Sequence, residues 1–167
     1  MKKNYCLIML SLLCSLFIYL FYRTEKTVIN QVFGSLVSFD KYIDLRKVIV
    51  CTLPLNKHII YSLPEGLWVL CITLTSKSLY VKMGSREISL LFIPLLFSTG
   101  LELLQLLHLT NGRFDFWDIG MSILFWAIAN YLIKHTGTRQ NMLHPFNARS
   151  FICLLSYLVV YSARVWT

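Results

Sequence analysis

Charge is scarce in this sequence. Only 14% of its 167 residues are Lys, Arg, Asp or Glu, and eight are acidic, against roughly 25% charged in an ordinary soluble domain. That shortage argues against a water-soluble monomer. The five cysteines, Cys6, Cys14, Cys51, Cys71 and Cys153, contain no CxxC pair, and four of them lie in apolar blocks where a thiol behaves as a small hydrophobe. Neither a disulfide framework nor a thiolate metal site is expected. There is no phosphate-binding loop, no nucleophile elbow and no zinc motif. His135 and His144 share one loop without the third ligand that such a site needs. No metal and no cofactor are expected. The chain also lacks internal repeats, low-complexity tracts and Gly/Ser linkers, which leaves one helical unit.

What is present is apolar: 56% of the residues are hydrophobic, grouped in long blocks rather than in alternation. The net charge of +8 comes from 16 Lys and Arg. Almost all of these sit between the blocks or at their ends, as cations do at the polar edge of a bilayer. A membrane surface accounts for this basicity, and nucleic acid is not implied. Five blocks of about 20 residues fall at 5–22, 59–75, 88–109, 115–133 and 150–163. The predicted fold class is therefore all-α, an integral membrane helical bundle with about five transmembrane helices.

This divides the chain into an N-terminal anchor (1–22), a polar loop with an amphipathic segment (23–58), a helical core (59–133), and a basic loop with a C-terminal membrane helix (134–167). Within the polar loop, residues 27–39 place Val28, Ile29, Val32 and Phe33 on one helical face, predicting an interfacial helix. Residues 46–55 read equally as a strand or a buried loop. The distribution of basic residues tips the amino terminus toward the cytoplasmic side.

Acidic residues, unlike basic ones, enter the spans. Glu65, Glu102 and Asp118 lie in or at the edge of apolar blocks, where an ionised carboxylate costs about 2.5 kcal/mol or more on insertion scales. Each is expected to face the bundle interior, water or a partner. The densest cluster is Glu102 and Gln105, three apart on one helical face, followed after a short turn by Arg113, Asp115 and Asp118. So short a turn makes the two helices antiparallel neighbours, and Arg113 has the planar fork of donors to bridge the carboxylates. His108 closes the third block beside them and offers a proton donor or acceptor. A purely architectural role is also open: Asp115 as a helix cap, Asp118 at a positive helix end, and Gln105 bonded to a neighbouring helix.

Glu-x-x-Gln near the end of one span, followed by Arg-x-Asp-x-x-Asp opening the next, resembles the signature of the VanZ-like family of small bacterial multi-pass membrane proteins. The resemblance covers 62–133 and marks Glu102, Gln105, Arg113, Asp115 and Asp118. Ser122 and Phe125 stand where family members often carry Asn and Gly. A bacterial cell membrane and a role in the cell envelope are what the resemblance implies. Three functions are compatible with the residues. One is binding of a lipid-linked envelope intermediate or a membrane protein partner through the acidic and Arg cluster. Another is an enzyme acting on a lipid headgroup with one carboxylate as base. The third is a proton-coupled transporter relaying protons through Glu65 and Glu102. Membrane lipids are expected partners in all three.

Overall fold

A computed structural model describes residues 2–23, 39–109, 114–133 and 138–165. In these residues the chain is mostly helical with a small sheet. Its elements are α1 (Lys2–Tyr22), α2 (Phe39–Thr52), α3 (Lys57–Ser76), β1 (Leu79–Met83), β2 (Arg86–Ser89), α4 (Ile93–Leu106), α5 (Phe116–Ala127), β3 (Gln140–Asn141) and α6 (Ala148–Val165). A 3₁₀ turn, Leu90–Phe92, leads into α4, and a π-helical turn, Ile128–Leu132, prolongs α5.

The sheet corrects the all-α expectation. β1 and β2 form an antiparallel hairpin in which Tyr80 faces Ser89 and Met83 faces Arg86. Gly84 closes it with φ 63°, a left-handed conformation that glycine adopts without steric cost and that such two-residue turns require. β3 joins β1 in parallel, with Gln140 N donating to Ser78 O at 2.9 Å and Met142 N to Tyr80 O at 2.8 Å.

Residues 46–55 are neither strand nor loop: α2 runs to Thr52, and Asn56 caps α3 by accepting from His58 N. The polar segment 23–58 is thus largely helical in its second half. The expected interfacial helix at 27–39 lies outside the described residues except for Phe39.

Among the described residues, two helices are long and apolar enough to cross a membrane, Tyr5–Tyr22 and Lys57–Ser76. The other apolar helical segments, Leu90–Leu106, Phe116–Leu132 and Ala148–Leu158, are shorter.

α3 is the centre of the bundle. α5 runs parallel to it: the His58 and Trp117 rings meet at 5.0 Å, Gly66 faces Met121 and Phe125, and Lys77 reaches Ala129, Asn130 and Ile133. A Cβ on Gly66 would lie 2.4 Å from Phe125 Cδ2, so the absence of a side chain sets this close approach. α4 runs antiparallel to both, tied by Trp126 Nε1 donating to Leu91 O at 3.0 Å and by the Ser98 and Ser122 hydroxyls at 2.7 Å. α1 lies antiparallel to α3, with Cys71 Sγ near Ile8 O at one end and Arg23 donating to Tyr61 O at the other.

Lys77 holds the α3 and α5 ends together at the sheet side of the bundle. Its Nζ donates to Ala129 O, Asn130 O and Ile133 O at 2.9, 2.6 and 2.9 Å. These are among the last carbonyls of the helix, which have no intrahelical donor. Burial lowers the Lys77 pKa below the ordinary lysine value of 10.5.

The interior mixes apolar side chains, among them Val69, Leu70, Ile72, Leu74 and Trp126, with small polar ones, and the exterior is apolar. Among the described residues, the buried polar positions are Ser or Thr with the single exception of Glu102. Large hydrophobics such as Leu13, Leu96, Ile123, Tyr131 and Leu155 are exposed on α1, α4, α5 with its π extension, and α6.

Candidate functional site

Three helices that are not consecutive in the chain bring their carboxylates together. α3 supplies Glu65, α4 Glu102 and α5 Asp118, and one carboxylate oxygen from each lies within 4.8 Å of the others. The parallel α3–α5 pairing sets this up. His58 against Trp117 and Gly66 against Met121 fix the register, and Glu65 and Asp118 fall at one level of the bundle. Antiparallel α4 then presents Glu102 from the opposite direction. The cluster lies in the half of the bundle away from the sheet.

Glu102 is fully buried, while Glu65 and Asp118 are half-buried. Glu102 Oε2 accepts from Asp115 N at 3.3 Å, and Glu65 Oε1 accepts from the Ser98 hydroxyl at 2.9 Å. Ser98 also meets Ser122, so two hydroxyls from α4 and α5 line one side of the cluster. Asp118 Oδ1 and the Ser62 hydroxyl are buried without a hydrogen-bond partner among the described residues. Ser62 lies one turn before Glu65 on α3.

Like charges 4 Å apart repel by about 1 kcal/mol in water and by about 4 kcal/mol at an effective dielectric of 20. The arrangement therefore calls for a proton, a cation or a cationic group among the carboxylates. Chemically, it offers several oxygen acceptors and two hydroxyls to something donor-rich and positively charged.

Of the residues singled out from sequence, Glu65, Glu102 and Asp118 are brought together. Asp115 stands beside them in a different capacity: its side chain caps α5, accepting from Trp117 N at 2.9 Å, and only its backbone N–H reaches Glu102. Gln105 is half-buried one turn after Glu102. His108 is exposed just beyond α4, at φ 55°, with no side-chain hydrogen bond to the carboxylates among the described residues. Arg113 lies outside the described residues.

Sequence reasoning did not single out Ser62, Ser98 or Ser122 as site residues. Their signal was the spacing: Ser98 is four before Glu102, Ser122 four after Asp118, and Ser62 three before Glu65, each on the same helical face as its acid. Comparison of the chain with protein-family models, with curated proteins and with solved structures finds no match.

Proposed function

We propose that this chain is a multi-pass protein of the bacterial cell membrane, similar to the VanZ-like family, that binds a lipid-linked envelope ligand through Glu65, Glu102 and Asp118. The apolar exterior supports the membrane placement. Large apolar side chains face outward on α1, α4, α5 and α6, and serines such as Ser15, Ser62, Ser98 and Ser122 stand at buried positions beside the apolar core, as where helices pack in lipid.

The shorter helices are compatible with spanning. Three residues of 3₁₀ followed by fourteen of α-helix in Leu90–Leu106 rise about 27 Å, close to the ~30 Å of hydrocarbon. α6, at 18 residues, also reaches about 27 Å.

The observation that carries the ligand reading is the convergence of three carboxylates from three helices around a wholly buried Glu102. Intramembrane acids are costly and mark functional sites. The chemistry fits a headgroup that presents an amine or several hydroxyls. A membrane protein partner bearing a cationic side chain would satisfy the same acceptors.

The test is thermal unfolding of the purified full chain with a panel of lipids carrying amine, sugar and plain phosphate headgroups. Stabilisation by an amine or sugar lipid, lost in Glu102→Gln and Asp118→Asn, is the expected result. Equal response of all variants to every lipid would overturn the reading.

A further inference from the structure

α2 crosses the end of α1 instead of running along it. Tyr42 Oη donates to Leu20 O, Arg46 donates to Phe21 O and Arg23 O, and Tyr22 Oη donates to Leu53 O at 2.6 Å. Residues 42–53 cover about 16 Å of chain at helical rise, yet these bonds reach residues 20–23, about 4.5 Å at the end of α1. Two helices lying side by side would pair over equal lengths, so the crossing is steep. The Tyr42 and Arg46 bonds also satisfy carbonyls at the end of α1, the groups that a helix end leaves without donors.

The crossing leaves a cavity of about 420 Å³ between α2, the last turn of α1 and the start of α3. Phe21, Ile43, Val50 and Ile60 supply apolar walls, and Arg46 and Lys47 add two positive charges, Lys47 in an exposed ion pair with Asp44 at 3.5 Å. On α2 the lining residues recur at three- and four-residue intervals, which puts them on one face. Away from the cavity the helix exposes Leu45 and Val48, an apolar strip beside the charged one formed by Asp44 and the cavity-lining Lys47. That is the surface of a helix lying at the boundary between lipid and water. Nearby, the Arg23 guanidinium lies 4.9 Å from the ring centroids of both Tyr19 and Tyr61, residue types that gather at membrane interfaces. Lys41 and Lys57 add further positive charge, against Asp40 and Asp44.

From this geometry we infer that α2 is an in-plane interfacial helix and that the cavity beneath it is a binding site for an anionic phospholipid. Lys47 and Arg46 meet the phosphate, and the acyl chains run along the apolar walls. Charge complementarity and apolar lining together commit the site to a lipid rather than to a small anion, which would leave Phe21, Ile43, Val50 and Ile60 without a counterpart. The inference rests on the membrane placement proposed above but not on the carboxylate cluster, which belongs to other faces of the bundle.

The test uses the full chain. Its insertion into phosphatidylcholine vesicles is checked first. Stabilisation of the detergent-solubilised protein is then titrated with short-chain phosphatidylglycerol, short-chain phosphatidylcholine and inorganic phosphate. Phosphatidylglycerol is expected to bind in preference to phosphatidylcholine. Lys47→Gln, at an exposed position whose loss leaves the fold intact, is expected to weaken it about fivefold, the equivalent of ~1 kcal/mol per basic residue at an anionic surface. Lys82→Gln, exposed on the hairpin at the far end of the bundle, is expected to leave it unchanged.

Equal binding of the two lipids would overturn the inference, as would an unaltered Lys47→Gln. Equal losses in Lys47→Gln and Lys82→Gln would reduce the effect to diffuse surface attraction, and saturation by inorganic phosphate would make the site one for a small anion; both overturn it. Failure to insert into phosphatidylcholine vesicles would refute the membrane placement itself.

Discussion

Replacing Lys77 by Met keeps most of the aliphatic stem and removes the ammonium that gathers three carbonyls of the α5 end. A hydrogen bond to a charged group contributes roughly 1.5–3 kcal/mol net. Here the three bonds share one charge, and the burial that lowers the Lys77 pKa opposes them. The expected loss is therefore about 2–4 kcal/mol, well below three independent bonds, within the range for breaking a partly buried charged network. At about 2–4 °C per kcal/mol for a chain of this size, the melting temperature falls by roughly 5–15 °C.

Lys77→Arg recovers only part of this, because a planar guanidinium directs its donors in one plane while an ammonium directs three N–H groups around its axis. The assay is unfolding in mixed detergent micelles, with Lys82→Met, exposed on the hairpin, as the comparison. If Lys77→Met unfolds within about 0.5 kcal/mol of Lys82→Met, the scale of an ordinary surface substitution, the clamp contributes nothing and the reasoning fails.

Stability also acquires a pH dependence from Lys77. Its folded pKa lies below 10.5, so between the two values the unfolded chain holds more protons, and stability relative to Lys77→Met rises with pH over that window; a fall measured by denaturant titration would show that the carbonyls outweigh desolvation. Gly66→Ala places a Cβ 2.4 Å from Phe125 Cδ2 and 3.2 Å from Met121 O, an overpacking that costs about 1–3 kcal/mol. Phe125→Leu in the same chain recovers part of it in the same unfolding assay, and additive losses would refute the contact. Asp115→Ala removes the α5 cap and lowers stability by about 1 kcal/mol, whereas Asp115→Asn retains an acceptor and stays near wild type by thermal unfolding; equal losses in the two variants would remove the cap from the account.

The helices were legible because their apolar blocks are long and the turns between them polar. The ends of the blocks were less so. The third block, read as 88–109, becomes β2 through Ser89, then a 3₁₀ turn, then α4 to Leu106. The hairpin was not legible: Leu79–Met83 and Arg86–Ser89 are short, mix charge with apolar residues, and sit between two apolar blocks, the composition of a loop. α2 was missed for a different reason. Val48-Ile49-Val50 is a β-branched run whose local preference favours a strand. Tyr42 and Arg46 hold the segment helical against α1 by bonds between residues more than twenty apart, which no local pattern contains.

At the site, Glu102 and Asp118 were marked by their cost in an apolar setting and Glu65 by the same rule. Their meeting depends on the parallel packing of α3 and α5, which Gly66 permits and which spacing alone does not specify. Asp115 looked like a member of the cluster because it shares a helical phase with Asp118. It sits instead just before the helix begins, where its carboxylate turns to the first-turn N–H groups.

The most direct measurement is native mass spectrometry of the full chain extracted from bacterial membranes in mild detergent, wild type beside Glu102→Gln. Glutamine keeps an oxygen to accept from Asp115 N–H but removes one charge from the three-carboxylate cluster, so the variant is expected to stay folded. A lipid or lipid-linked molecule with an amine or sugar headgroup retained by wild type and lost from Glu102→Gln is the predicted result. The same ligands, in the same amounts, on both proteins would contradict the assignment of the cluster as the binding site.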